Sequence, residues 1–297
     1  MQPALSRSGP ANVFSTACTA ILVDADRLRD RLNDPRLLLV DAREPEDYKR
    51  GHLRAAVNLP PSSVEWSVQL PDGAEVHHLL VPVERIAPLL SFLGINRESR
   101  IVIYDDGAGY TATRIYWILD YFGHPHPAIL NGGLGAWKAT GGELAGDDPK
   151  SMQGDFTPDP DPKKIADIHT VRSAPGRDGT ILVNTLPLKS FRREAIPGSL
   201  NIPYTETYRY RSSLRLLDPR HLAELFQSAS ITPDRELILY CGIGYTASLL
   251  YFAARLLDYP RVRLYDGSLA DWKARGGALE PGRRISAPDS KWDPIVL

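Results

Sequence analysis

Cysteine is scarce: the 297 residues carry only Cys18 and Cys241. Two thiols make neither a disulfide framework nor a multi-cysteine metal site, and they suit a reducing compartment, so each is weighed as a lone thiol. Net charge is nearly absent as well. Lys and Arg total 35 against 36 Asp and Glu, a balance of −1, so no global field draws the chain to nucleic acid or an anionic membrane, and anion recognition has to be local. Long apolar runs are missing, since none reaches the ~20 residues of a spanning helix. Val13 to Val23 imitates a weak signal peptide or lipoprotein box ending at Cys18, but Ser15, Thr16 and Thr19 break it. Ile21-Leu22-Val23 before Asp24-Ala25-Asp26 reads instead as a first strand entering a helix. The expectation is a cytoplasmic protein with no membrane and no nucleic-acid partner.

What is present is the composition of an ordinary globular chain, 43% hydrophobic, 24% charged and 8% aromatic, with length enough for two domains that each bury a core. The chain also repeats itself. Gly109-Tyr110-Thr111-Ala112 returns as Gly244-Tyr245-Thr246-Ala247, an offset of 135, and the same offset carries Trp137-Lys138-Ala139 onto Trp272-Lys273-Ala274 and Gly141-Gly142 onto Gly276-Gly277. Upstream, Asn58-Leu59-Pro60 falls on Asn201-Ile202-Pro203 and Val40-Asp41 on Val183-Asn184, an offset of 143. Two copies of one domain account for this, residues 18–146 and 165–283, joined by a linker at 147–164 that is rich in Pro, Gly and Asp.

Within each copy, short apolar runs alternate with helical patterns. Leu37–Val40, Ile101–Tyr104 and Ala128–Leu130 read as buried strands, as do Ile181–Val183, Leu237–Tyr240 and Val262–Leu264. Helices follow the two Gly-Tyr-Thr segments, with Ile115, Ile118, Leu119 and Phe122 on one face of the first and Leu249, Phe252, Ala253 and Leu256 on one face of the second. The fold class is therefore α/β, each half a parallel sheet with helices on both faces. Ligands bind beyond the carboxyl ends of such strands, where Tyr240 gives way to Cys241.

Leu237-Ile238-Leu239-Tyr240 runs into Cys241-Gly242-Ile243-Gly244-Tyr245-Thr246, with a helix beginning at Tyr245 or Thr246. A thiol between a strand end and a helix start can be ringed by backbone N–H groups, and glycine permits the dihedrals this needs. The helix N-terminus adds partial positive charge. Both favour the nucleophilic thiolate over the other common fate of a lone cysteine, a small buried hydrophobe. Cys18 has no such setting and reads as structural or incidental.

These segments, in this order and duplicated, resemble a tandem-domain rhodanese, the thiosulfate or 3-mercaptopyruvate sulfurtransferase family. The first copy carries Asp41-Ala42-Arg43-Glu44-Pro45-Glu46-Asp47-Tyr48, Gly51-His52-Leu53, Asn58-Leu59-Pro60, Asn131-Gly132-Gly133 and Trp137. The second carries Ile196-Pro197-Gly198-Ser199-Leu200-Asn201-Ile202-Pro203, the Cys241 loop, Tyr265-Asp266-Gly267-Ser268 and Trp272. The resemblance implies two rhodanese-like domains, a catalytic carboxyl-terminal one and an amino-terminal one whose loop has Asp106 where Cys241 stands. It implies that Cys241 takes sulfur from thiosulfate or 3-mercaptopyruvate and holds it as a persulfide amid the amides of Gly242, Ile243, Gly244, Tyr245 and Thr246. A thiol, a thioredoxin-like protein or cyanide then removes it, and no metal or organic cofactor is called for.

Three departures bear on the donor. Thiosulfate enzymes place a basic residue just after the cysteine, where this loop has Gly242 and Ile243. Mercaptopyruvate enzymes have Ser or Thr where Ile243 stands. An Asp-x-Arg segment is replaced by Asn184-Thr185-Leu186, which removes a substrate-binding Arg; nearby Lys189, Arg192 and Arg193 are candidate anion contacts, or simply a solvated helix face. Arg209, Arg211 and Arg215 read as a solvated cluster. Phosphatase and arsenate-reductase relatives of the fold need C-x-x-x-x-x-R, and Ala247 occupies the Arg position. A sulfur-carrying or binding module with little turnover is the non-enzyme alternative.

Overall fold

The computed structural model describes residues 21–107, 109–146, 149, 153–210 and 214–285. Cys18, and residues 147, 148 and 150–152 of the expected linker, lie outside them. The first repeat runs β1 (Leu22–Val23), α1 (Ala25–Arg29), β2 (Leu37–Asp41), α2 (Pro45–Lys49), β3 (Val57–Asn58), a hairpin of β4 (Glu65–Gln69) and β5 (Glu75–Leu80), α3 (Val83–Phe92), β6 (Arg100–Tyr104), α4 (Tyr110–Tyr121), β7 (Pro127–Leu130) and α5 (Gly133–Ala139). The second follows the same plan: β8 (Ile165–Ala166), α6 (Ile168–Ser173), β9 (Thr180–Asn184), α7 (Leu188–Arg193), β10 (Leu200–Asn201), a hairpin of β11 (Tyr208–Tyr210) and β12 (Leu214–Leu216), α8 (Pro219–Ser228), β13 (Glu236–Tyr240), α9 (Tyr245–Leu256), β14 (Val262–Tyr265), α10 (Ser268–Ala274) and the edge strand β15 (Arg284–Ile285).

The strand orders are β1-β7-β6-β2-β3 and β15-β10-β9-β13-β14-β8, every neighbour parallel. Alternation sorts the side chains: Ile101 and Ile103 face one core while Val102 and Tyr104 face another. The repeated motifs have local causes. Asn58 donates to the carbonyls of Asp41 and Arg43 at 3.0 and 2.8 Å, and Asn201 to those of Asn184 and Leu186 at 2.9 and 2.8 Å, so each Asn fixes the turn beyond a central strand. Gly142 and Gly277 lie flat under Trp137 and Trp272, where a Cβ would come within 2.2 and 2.3 Å of the indole.

The halves do not keep wholly separate cores. Each has an outer cluster, around Leu39, Val102 and Trp137 in the first and Leu182, Ile238 and Trp272 in the second. The inner cluster is shared, joining Ile103, Ile115 and Trp117 to Leu237, Leu239, Leu250 and Phe252. Helices α4 and α9 pack together inside it and are buried on nearly every side past their first turn, where a single apolar face was expected. Several of their polar groups are consequently paired across the interface. Thr113 and Ser248 hydroxyls meet at 2.9 Å, Tyr251 donates to Asp120 at 2.6 Å, and Tyr116 and Phe252 meet edge to face at 4.8 Å.

Thr113 and Ser248 are counterparts at the offset of 135, so the repeats face each other about an approximate two-fold axis. The hairpins obey it. Leu80 N–H of the first hairpin donates to Asp266 Oδ2 at 2.6 Å, and Leu216 N–H of the second to Asn131 Oδ1 at 3.1 Å; Asp266 and Asn131 are again counterparts. Each hairpin reaches over the other repeat's loop region. Arg215, expected in a solvated cluster, lies 3.9 Å from Asp24 of the first repeat; Arg211 is outside the described residues. Beyond the linker's undescribed part the chain is pinned, with Gly154 N–H on Ser91 O at 2.8 Å and Phe156 N–H on Ile95 O at 3.1 Å.

Candidate active site

Cys241 follows the last residue of β13, a strand buried along its length, and is itself only 2% exposed. The loop is turned by Gly244, φ +90°, immediately before α9. Its first carbonyls point away from the sulfur: Cys241 O accepts from Leu269 N–H at 3.1 Å and Gly242 O from Ala270 N–H at 3.0 Å. Gly244 N–H points the other way and donates to Cys241 Sγ at 3.1 Å. Ser268, in a left-handed conformation (φ +49°), braces the far side. Its Oγ accepts from Cys241 N–H at 3.0 Å, donates to Tyr265 O at 2.9 Å and lies 4.0 Å from Sγ. Thr246 Oγ1 is 3.3 Å from Thr185 Oγ1, and Ile243 is 36% exposed. An aimed amide, a helix start and carbonyls turned outward form a setting that stabilises an anion on sulfur.

The first repeat reaches the start of α9 beside this loop. Tyr245 donates to Glu65 Oε1, whose other oxygen is 2.8 Å from His78 Nδ1, and the His78 ring meets Tyr245 edge-on at 6.4 Å. Burial first, then the Glu65 carboxylate, hold the Tyr245 phenol well above its ordinary range, so it stays a donor. His78 has φ +62°, an uncommon state for a non-glycine residue. That twist turns its carbonyl to Arg114, whose Nη2 donates at 3.2 Å. Arg114 is 1% exposed. Its Nη1 is 2.6 Å from Asp266 Oδ1, an ion pair without hydrogen-bond alignment. Glu65, His78, Arg114, Asp266 and Ser268 carry no expected role in the sequence reading. The signal that could have found Arg114 is the offset of 135, which sets it against Leu249.

One expectation about the loops is corrected. Counted from the strand, the residue in the place of Cys241 is Asp105, not Asp106: Tyr104 and Tyr240 end equivalent strands, and Asp105 O accepts from Leu134 N–H as Cys241 O does from Leu269 N–H. The first loop is one residue longer, which hides the match when counting back from the helix. The Asp105 carboxylate accepts from Gly107 N–H at 2.8 Å, Thr111 Oγ1 at 2.9 Å and Ala112 N–H at 3.2 Å. Lys189, Arg192 and Arg193 are exposed on α7, and among the described residues no hydrogen bond or ion pair links them to the Cys241 loop; Arg193 lies 3.4 Å from Glu194. Leu186 N–H donates to Asn184 Oδ1 at 2.8 Å, leaving Asn184 Nδ2 buried without a partner.

Comparison with known proteins supplies the family. The Rhodanese-like domain matches residues 24–140 and again 168–275. The chain belongs to the rhodanese family. It is 32% identical over 291 residues to a probable 3-mercaptopyruvate sulfurtransferase of Pseudomonas aeruginosa, covering 91% of this chain and 99% of that one. It is 30% identical over 261 residues to the thiosulfate sulfurtransferase of the same organism, covering 85% and 93%. Among solved structures, the 3-mercaptopyruvate sulfotransferase SseA of Escherichia coli superposes with a TM-score of 0.75 at 28% identity, over 84% of this chain and 99% of that one. This rhodanese is accordingly a sulfurtransferase of tandem-repeat architecture. Among the described residues no helix is long and apolar enough to cross a membrane.

Proposed function

We propose that this rhodanese moves sulfur through a persulfide on Cys241, in the cytoplasm, where a lone thiol stays reduced. The observation that carries the reading is the Gly244 amide on Cys241 Sγ at 3.1 Å, at a strand end facing a helix start. Cys241 thiolate attacks the outer sulfur of the donor. With thiosulfate, the Sγ–S bond forms as the donor's S–S bond breaks, and sulfite leaves with the electron pair. With 3-mercaptopyruvate, the donor's C–S bond breaks and its thiol proton ends on the carbon that becomes the methyl group of pyruvate. The Gly244 amide, with those of Gly242 to Thr246 in the same loop, stabilises the terminal persulfide anion as an oxyanion hole stabilises oxygen. A thiol, a thioredoxin-like protein or cyanide then takes the outer sulfur and returns Cys241 thiolate.

A sulfur-carrying module with little turnover is the second reading, favoured by Leu186 and Ile243, which put apolar groups where the family pattern has Arg and a hydroxyl. One experiment separates them. Intact-mass analysis after thiosulfate or 3-mercaptopyruvate treatment is expected to show one added sulfur on Cys241, absent from Cys241→Ser, with sulfite or pyruvate released over many turnovers when an acceptor thiol is present. A single stoichiometric release favours the carrier; full transfer by Cys241→Ser refutes the assignment.

A further inference from the structure

The approximate two-fold axis supplies an internal comparison. Around the Cys241 loop, Arg114 of the first repeat faces Asp266 of the second at 2.6 Å. At the offset of 135, Arg114 corresponds to Leu249 and Asp266 to Asn131. The counterpart clasp is therefore Leu249 with Asn131, beside the loop that has no thiol. A Cβ built on Gly109 would lie 3.4 Å from Leu249, and one built on Gly244 would lie 3.1 Å from Arg114 Nη1, so each side chain backs the corresponding glycine turn. Hairpin seating is common to both sides, through Leu80 on Asp266 and Leu216 on Asn131. Seating a hairpin on this residue thus does not require an ion pair with the facing helix. The charged pair occurs on the side that carries the thiol.

A guanidinium buried this deeply is expensive unless it is paired and fully hydrogen-bonded. Arg114 is not fully satisfied, for its Nε is buried with no hydrogen-bond partner. It meets the site at three places: the His78 carbonyl at 3.2 Å, the back of Gly244, and the Tyr245 ring, 5.7 Å from the guanidinium carbon. These are the covering hairpin, the residue whose amide is aimed at sulfur, and the first residue of α9.

We propose that Arg114, with Asp266, is a positioning residue for sulfur transfer at Cys241, holding the first repeat's hairpin and the Gly244 turn in register so that the Gly244 amide stays directed at the sulfur. The inference rests on the persulfide reading above. It places part of the catalytic geometry in the repeat that lacks the thiol.

The test is the double variant Arg114→Leu/Asp266→Asn, which copies the pair the protein already accommodates as Leu249 and Asn131. Replacing a buried ion pair by a well-packed apolar contact is commonly neutral or stabilising, so a folded protein is expected. Arg114→Lys is the second variant, retaining charge but losing the fork that spans Asp266 and His78. Tyr251→Phe is the control: it removes the bond to Asp120 at the same interface, almost two helical turns from Tyr245. Per folded molecule, the single-turnover rate of persulfide formation, followed by intact mass, is expected to fall at least about tenfold in both Arg114 variants, with donor KM within about threefold of the parent. Tyr251→Phe is expected to lower Tm without slowing that step. Parent-like rates in the folded Arg114 variants, or equal slowing by Tyr251→Phe, overturn the inference. Failure of the parent protein to take up sulfur instead refutes the persulfide reading.

Discussion

Replacing Gly244 by Ala tests the cysteine loop at its tightest point, and Gly109→Ala supplies the matched control. Both glycines cap equivalent helices in the left-handed region, φ +90° and +81°, where an L side chain costs roughly 1–2 kcal/mol. Their surroundings differ. A Cβ on Gly109 would meet a flexible Leu249 methyl at 3.4 Å, whereas one on Gly244 would lie 2.5 Å from Asp266 O and 3.1 Å from Arg114. Asp266 O is backbone and cannot swing aside, so the turn itself has to move. That movement takes the Gly244 amide off the sulfur. Removing one such donor from an oxyanion hole costs on the order of 100- to 1000-fold in rate. Single-turnover sulfur uptake by Gly244→Ala is therefore expected to fall by about that factor, with a stability loss larger than the roughly 1–2 kcal/mol of Gly109→Ala. Gly109→Ala is expected to transfer sulfur at the parent rate once corrected for folded protein. Near-parent uptake by Gly244→Ala, or an equal loss in Gly109→Ala, would refute the assignment of that amide to sulfur.

Burial depresses the His124 imidazole to about 4; Nε2 bonds Asn96 O at 3.0 Å while Nδ1 accepts from His126 N–H at 3.2 Å, so a second proton has no place. Its folded value lies below the unfolded one, so the contribution is complete above about pH 6.5 and is lost as pH falls towards 4, an effect of about 3 kcal/mol that denaturant midpoints are expected to show reduced in His124→Gln. A chain beginning at Ile165 is expected to aggregate or lose fixed tertiary structure by near-ultraviolet circular dichroism, because it exposes the face of α9 and the inner core that the first repeat covers. Asn184→Asp with Leu186→Arg rebuilds the Asp41–Arg43 pair, whose oxygens and nitrogens meet at 2.6–3.2 Å and whose Arg43 lies 3.7 Å from Asp106 on the following loop; thiosulfate KM is expected to fall about tenfold, as for one charge-assisted contact, and an unchanged KM in a folded variant removes that position from donor recognition.

The strands and the two long helices were legible because their signals are local: continuous apolar runs for buried parallel strands, and Gly-Tyr-Thr at two helix starts. The position of Cys241 was legible for the same reason, since strand, loop and helix adjoin in sequence. What was not legible depends on the other repeat. Glu65 and His78 sit in a hairpin with no chemical motif, and only the docking of the two halves brings them to Tyr245. The expected one-sided pattern on α4 and α9 failed because the helices pack on each other as well as on their own sheets, leaving little solvent face. The one-residue error between Asp105 and Asp106 arose because an offset measured on helices was carried across a loop that had gained a residue.

The two loops differ in what fills them. In the first, the Asp105 carboxylate accepts three donors from its own loop and helix start, so those donors are already taken. Expelling it would leave those donors unpaired and strand a carboxylate that is 4% exposed, a cost no donor contact there offsets. In the second, a thiol accepts one amide. The loop of the first repeat is filled by its own side chain, while its hairpin and Arg114 bond to residues beside Cys241 in the second.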